Sequence, residues 1–372
     1  MKLFILESSA TVGGQELAVV LHADGLRKRG HQVTMILEPG SPIMDMAKRE
    51  GIPVVGLRMR RWCYPSAILT LRRLMAQERP AIVHVNSSRD SWIGSLAARM
   101  VAPRPPVIRT RHISTPLNRN LTTSLLYQRL FDLVIVTGGE LTRRALIERD
   151  GLASDRVVAF PIGIDIGVFK PGAPTKNLRE ELGLPPTHLL VGLISYLRSY
   201  KGHEYFIDAA ARVAARDRDV TFVVVGQGPE EARLRARIQE QGVGHSVRML
   251  GYRDDLLNVF HSLDVFVIPS VEGDTIPQVL MQAMAVGLPV VSTTVGSIPD
   301  VVRNGETGFV VRPRDAAALA ERIRLLLNDG DLRARMGAAG RSLVERHYSL
   351  DRMLDELERV YRRAAERAAG RA

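Results

Sequence analysis

The chain reads as an α/β protein with two parallel-sheet halves. Three observations predict this. Short β-branched apolar runs alternate with longer amphipathic stretches, the pattern of strands joined by helical crossovers. The length, 372 residues, is about twice that of a usual single domain. Between Phe160 and Pro174 the alternation breaks at a Pro- and Gly-rich stretch and then restarts.

In the first half, strands are expected at residues 2–6, 32–37, 54–56, 82–85, 107–110, 133–136 and 157–160. Helices are expected near 16–29, 68–78, 91–100, 121–130 and 140–150. After the break, strands are expected at 189–195, 220–226, 248–251, 265–269, 289–293 and 308–311. A helix begins near Pro277, where proline suits the first turn. Helices at 319–327, 332–348 and 351–368 close the chain. The expected division is 1–168, Rossmann-like; 169–348, Rossmann-like; and 349–372, a helix that returns to the first half.

Composition removes several function classes. Cys63 is the only cysteine, which excludes an intrachain disulfide and a multi-cysteine metal site. The opening apolar run is too short for a signal peptide, and no run reaches the ~18–20 residues of a membrane span. A cytoplasmic location, in part peripheral on the inner face of the cytoplasmic membrane, is expected. The formal charge is +11, with +9 in residues 1–165 and +2 in the rest. Residues 46–111 hold 13 basic and three acidic side chains. Such one-sided charge suits an anionic partner: nucleic acid, a phosphorylated substrate or acidic lipid.

Several strand ends carry candidate chemistry. Gly13-Gly14 at the first strand-to-helix turn lets a phosphate or sugar approach the backbone, with a tight turn as the plain alternative. Gly226-Gln227-Gly228 reads more simply as a strand-end turn. Arg198 and Lys201 straddle the end of the first strand of the second half, where doubly wound sheets bind ligands; fork and point charge together suit a diphosphate. Downstream, Pro269-Ser270-Val271-Glu272-Gly273-Asp274 is an acidic loop leading into a helix, with Asp274 and Gln282 eight residues apart. Backbone N–H groups around Thr275–Gln278 are free to hold phosphate.

This last segment resembles the signature of retaining glycosyltransferase family 4, whose members have the GT-B fold: two Rossmann-like domains facing a central cleft. Supporting matches, in order, are Gly13-Gly14-Gln15-Glu16, Arg109-Thr110-Arg111-His112, Pro161-Ile162-Gly163-Ile164-Asp165, Lys201-Gly202-His203, Gly226-Gln227-Gly228-Pro229 and Gly296-Ser297-Ile298-Pro299-Asp300. The resemblance implies that the second half binds a nucleotide-diphosphate sugar, UDP- or GDP-linked, and that the first half binds a glycan or glycolipid acceptor. It implies no metal or other cofactor. The resemblance to members associated with lipopolysaccharide implies a place in surface-polysaccharide assembly.

The resemblance also distributes roles. Gln282 stands where the family's Glu grips the ribose, and Asp274 where another Glu positions the donor sugar. Glu272 is the other carboxylate within reach; Asp274 is preferred because it keeps the spacing. His112 aligns with the active-site His, with a structural His as the plain alternative. Lys201 and Arg198 are assigned to the diphosphate, although the family's usual Arg position is held by Tyr196. Gly251, Tyr252, Arg253, Thr275, Ile276, Pro277 and Gln278 fall among the donor contacts, with Gly13 and Gly14. Asn86, Arg109 and Arg111 fall on the acceptor side. Asp217-Arg218-Asp219 and Asp329-Gly330-Asp331 resemble metal-binding Asp-x-Asp motifs but lie in turns unsuited to that role.

The basic region admits a membrane reading. Arg58, Arg60 and Arg61 flank Trp62, and residues 69–74 supply an apolar helix face beside Arg72 and Arg73, a combination that lies on anionic lipid. Two other function classes stand against the transferase: a GT-B sugar-nucleotide epimerase, and a basic nucleic-acid-binding protein. The second lacks any aromatic or recognition-helix signature, so nucleic acid is not expected as a partner.

Overall fold

A computed structural model describes residues 1–11, 13–118 and 120–370. The chain forms two compact units, Met1–Gly163 with Leu350–Ala372, and Ile164–Ser349.

The first unit contains seven strands: β1 Lys2–Glu7, β2 Gln32–Leu37, β3 Val54–Gly56, β4 Ile82–Val85, β5 Val107–Arg111, β6 Leu133–Val136 and β7 Val157–Ala159. All pairings are parallel, in the order β3-β2-β1-β4-β5-β6-β7. Parallel strands bury both faces, so successive side chains feed opposite cores. Leu3 and Ile5 enter one core; Phe4 and Leu6 enter the other. Four early crossover helices are α1 Gly14–Lys28, α2 Pro42–Arg49, α3 Tyr64–Glu78 and α4 Ser88–Ala98. Residues 121–130 are not one regular helix: a short α-turn at Leu121–Ser124 widens into a π-helix at Leu125–Leu130.

One sequence expectation is corrected in α3. Its apolar stripe, Ala67, Leu71 and Met75 at four-residue spacing, packs inward against the sheet. The face read at 69–74 as outward and lipid-seeking is therefore largely consumed by the core. Leu69 remains 43% exposed, and Arg72 Nε donates to the Met100 carbonyl at 3.1 Å.

The terminal helix, Leu350–Ala369, belongs to the first unit. Met353, Leu354, Leu357, Val360, Tyr361 and Ala364 form its buried stripe. Gly25 of α1 makes room for it: a Cβ there would lie 2.6 Å from Leu354 Cδ1. The Tyr361 hydroxyl bonds His84 Nδ1 at 2.7 Å, and His84 Nε2 meets Thr110 Oγ1 at 2.5 Å. Burial lowers the His84 pKa to about 3, so this ring is neutral.

The second unit holds β8 Leu189–Ile194, β9 Val220–Val225, β10 Val247–Gly251, β11 Val265–Ile268, β12 Val290–Thr293 and β13 Gly308–Val311. Their parallel order, β10-β9-β8-β11-β12-β13, is the doubly wound arrangement. Its direction reverses between β8 and β11. In the first unit it reverses between β1 and β4. Loops at the carboxyl ends of such strand pairs flank the crevice where this fold takes ligands.

Candidate active site

The β8 and β11 loops carry the strongest sequence candidates. After β8 the chain turns through Arg198-Ser199-Tyr200-Lys201 to Gly202, whose φ of +74° suits glycine. A Cβ at Gly202 would lie 2.0 Å from the Pro269 carbonyl oxygen, so the two loops touch backbone to backbone. Val271 N–H donates to the Tyr200 carbonyl at 2.8 Å. Lys201 Nζ thereby reaches Asp274 Oδ1 at 2.6 Å, with the side chains only 15% and 11% exposed. The second carboxylate oxygen of Asp274 accepts from Ser270 Oγ. Thr293 Oγ1 in turn holds the Ser270 carbonyl at 2.6 Å.

Glu272 is not part of this group. Its side chain is 70% exposed and its nearest cation is Arg314, 3.9 Å away. Of the two carboxylates, Asp274 is the one the structure places against Lys201. The loop is clamped from behind by Gly296, with φ +57°; a Cβ there would be 2.0 Å from the Asp274 carbonyl oxygen. Gly226 and Gly228 have the same kind of task, bringing the β9 loop against the carbonyls of Ser195 and Leu197.

Thr275 and Ile276 are buried, and Pro277 caps the helix Gln278–Ala285. Gln282 is only 9% exposed, and its buried Oε1 has no hydrogen-bond partner among the described residues. A buried carbonyl in that state is an open acceptor. Arg198 is exposed, with its guanidinium 5.2 Å over the Tyr196 ring. His203 Nε2 bonds Ser195 Oγ at 2.9 Å, and burial lowers its pKa to about 4.

The β10 loop divides. Gly251 has φ +71° and accepts from Gly226 N–H at 2.8 Å; Tyr252 is 70% exposed and available to a planar ligand. Arg253 is committed elsewhere, forked onto Asp255 at 2.8 Å and joined to Glu181 at 2.6 Å. The aspartate pairs likewise hold structural positions: Asp217 meets Arg324 Nε at 2.8 Å, and Asp329 caps the helix Gly330–His347.

In the first unit, Gly13 is the N-cap of α1; its N–H donates to Glu16 Oε2 at 2.8 Å, and Gly14 opens the helix. Behind this turn lies a polar cluster that the sequence reading missed. Glu7, fully buried at the end of β1, accepts from Ser9 N at 2.8 Å, Gln15 Nε2 at 2.7 Å and Ser87 Oγ. Asp90, also fully buried, accepts from Ser87 N at 2.8 Å. Burial pushes both carboxyls above their ordinary range; for Asp90 the nearby Glu7 adds to this and Arg109 opposes it. The available signal was a carboxylate ending an apolar strand. Asn86 Nδ2 is tied to the Leu6 carbonyl at 3.0 Å.

Past β5, Arg111 is 6% exposed and donates to the Thr115 carbonyl, which leaves it a loop-holding residue. Arg109 keeps a buried, unpartnered Nη1, and both ring nitrogens of His112 are buried without partners among the described residues. Burial, then the charge of Arg109, sets the His112 pKa well below its ordinary value. His112 is neutral, with one donor and one acceptor to offer.

Of the basic-surface candidates, Arg58 and Arg73 are simply exposed. Arg60, Arg61 and Trp62 gather with Tyr64 and Arg89 around a recess. Among the described residues no helix is long and apolar enough to cross a membrane.

The chain thus has two doubly wound units, one of which brings a cation and a carboxylate together on its strand-end loops and holds an open amide on the helix that follows. The glycosyltransferase family 4 model matches residues 12–168, and the model for glycosyl transferases group 1 matches residues 174–343. A phosphatidyl-myo-inositol mannosyltransferase of Mycobacterium leprae is 30% identical over 369 residues, covering 95% of this chain and 94% of that protein. The chain belongs to this glycosyltransferase family. Its fold is also that of a Rickettsia africae glycosyltransferase (TM-score 0.87, 20% identity, 98% of each chain). An Anabaena protein, HepE, solved with UDP-glucose, has the same fold (TM-score 0.86, 22% identity, 97% of this chain and 99% of that one).

Proposed function

We propose that the chain is a retaining, metal-independent transferase that moves a sugar from a UDP- or GDP-sugar to a phosphate-bearing glycolipid or polyol, in surface glycolipid or polysaccharide assembly. The observation that carries this reading is the Lys201–Asp274 pair at the β8/β11 reversal, with the open Gln282 acceptor on the following helix. A diphosphate arriving there competes with Asp274 for Lys201. The released carboxylate then accepts from donor-sugar hydroxyls, and Gln282 accepts from the ribose. As the glycosidic bond breaks, charge builds on the β-phosphate, and Lys201, Arg198 and the N–H groups at Thr275–Gln278 stabilise it. The acceptor hydroxyl attacks from the face the diphosphate leaves, a phosphate oxygen takes its proton, and configuration is retained.

The first unit is assigned the acceptor, with neutral His112 offered to sugar hydroxyls and Arg109 to anionic groups. The phosphate-bearing acceptor is suggested by the phosphatidyl-myo-inositol of the mycobacterial relative's name and by the +9 charge of residues 1–165. That charge also supports a peripheral position on an anionic membrane. Nucleotide release from a panel of UDP-, GDP- and ADP-sugars tests the donor, the anomeric NMR signal of the product tests retention, and a chelator tests metal independence. No release with any donor and acceptor, or an inverted product, would overturn the corresponding part.

A further inference from the structure

A recess of about 450 Å³ in the first unit is lined by Arg60, Arg61, Trp62, Tyr64 and Arg89, none of which has a role in the transfer described above. Its volume is in the lower part of the range of ligand pockets, roughly 300–1,000 Å³. Arg60, Arg61 and Trp62 come from the loop after β3, and Arg89 from the first turn of α4, which follows β4. Both segments leave carboxyl ends of the sheet, the edge that takes ligands in this fold.

Little neutralises these cations locally. Arg60 Nε is 3.9 Å from Glu38 Oε1, while the other oxygen of Glu38 accepts from Met59 N at 2.7 Å. Arg61 and Arg89 have no ion-pair partner among the described residues; burial raises the Tyr64 phenol pKa, with both guanidinium charges opposing that and the neighbouring Asp90 adding to it. Trp62 is 77% exposed, with Arg60 6.0 Å over its ring, an aromatic wall beside the charge. Guanidinium forks match phosphate oxygens, and a Trp face suits the ring or carbon skeleton attached to them.

We propose that this recess binds the phosphate ester of the acceptor, with Arg61 and Arg89 as the forks and Trp62 against the attached carbon skeleton. The proposal rests on the phosphate-bearing acceptor given under Proposed function and locates its recognition.

Titration calorimetry of the full chain with glycerol 3-phosphate, and with glycerol as the neutral probe, tests it. Arg61→Gln and Arg89→Gln are each expected to weaken glycerol 3-phosphate binding about tenfold, the order of one lost charge-assisted contact at a partly exposed site. Lys48→Gln, an equal charge change on the exposed face of α2, is expected to leave it within about twofold. Co-sedimentation with phosphatidylcholine vesicles, with and without phosphatidylglycerol, separates the sources of the phosphate. A lipid headgroup in the recess makes the two arginine variants lose vesicle binding far more than Lys48→Gln does. A soluble ester makes all three lose it alike while the calorimetric difference persists. Either result supports the site. Absent glycerol 3-phosphate binding, or equal weakening by Lys48→Gln and Arg89→Gln, overturns it. Arg61 is exposed in the single 3-10 turn Arg61–Cys63, so its variant carries the test if Arg89→Gln does not fold. Donor cleavage without acceptor reads the transferase assignment separately: a chain that binds the ester but cleaves no nucleotide sugar keeps this site and loses that function.

Discussion

Replacing Gln282 by methionine separates binding from stability, because the two are expected to move in opposite directions. The Oε1 atom is buried without a partner among the described residues, in a residue 9% exposed. A buried unsatisfied carbonyl costs about 1–3 kcal/mol, whereas methionine fills similar space without that acceptor. Discounting for imperfect fit, the free protein should gain about 1 kcal/mol, or roughly 2–4 °C in the melting temperature of a unit this long. Nucleotide binding should lose the bond to the ribose, about 1 kcal/mol or more, so affinity falls five- to tenfold. Differential scanning calorimetry with and without UDP and GDP measures both at once: the variant starts higher and shifts less on adding nucleotide. A variant that melts several degrees lower yet binds nucleotide as well as the wild type would refute the reasoning, since Oε1 would then hold the fold and not the ligand.

Other substitutions have equally definite expectations. Asp274→Asn should lower donor turnover by about two orders of magnitude, while Glu272→Gln should change it less than about threefold; initial rates of nucleotide release distinguish them. Gly296→Ala forces a Cβ toward a carbonyl 2.0 Å away and should lower both kcat and the melting temperature, as steady-state kinetics beside calorimetry would show. His22 is buried with a pKa lowered from 6.5 to about 4, so the unfolded chain takes up the proton first. The stability it contributes is complete above pH 6.5 and is lost as pH falls toward 4, about 1.4 kcal/mol per pH unit in that window. His22→Phe should therefore reduce the drop in melting temperature between pH 7 and pH 5. The buried carboxyls act oppositely: their raised values give stability that is full below the ordinary carboxylate range and declines as pH rises through the folded values. Asp90→Asn should flatten that decline in a melting series over pH.

Much of this architecture is written locally in the chain. Among the described residues, the thirteen strands fall within a residue or two of the β-branched runs, since a strand buried on both faces needs an unbroken apolar stretch. Lys201, Asp274 and Gln282 stand out because short motifs at strand ends resemble the family signature, and the fold brings the first two together. What local pattern does not show is pairing created by sheet order. Glu7, Ser87 and Asp90 become neighbours because β1 lies beside β4, although some 80 residues separate them. The inward face of α3 is a choice between two apolar stripes, and packing made it. Arg253 reads as a ligand group until Glu181, 72 positions earlier, arrives to hold it.

The Leu350–Ala369 helix gives the first unit an unusual schedule of assembly. Its stripe fills a core shared with Leu3, Ile5 and Val33, yet all of the second unit's sequence is made before it. On the ribosome, residues 1–163 emerge with one flank of their core uncovered and wait through the synthesis of 186 more before the cover arrives. The two units thus mature nearly together. A gene cut at the break near residue 163 would yield a first half that lacks its final piece, and supplying residues 350–372 as a separate peptide should restore it.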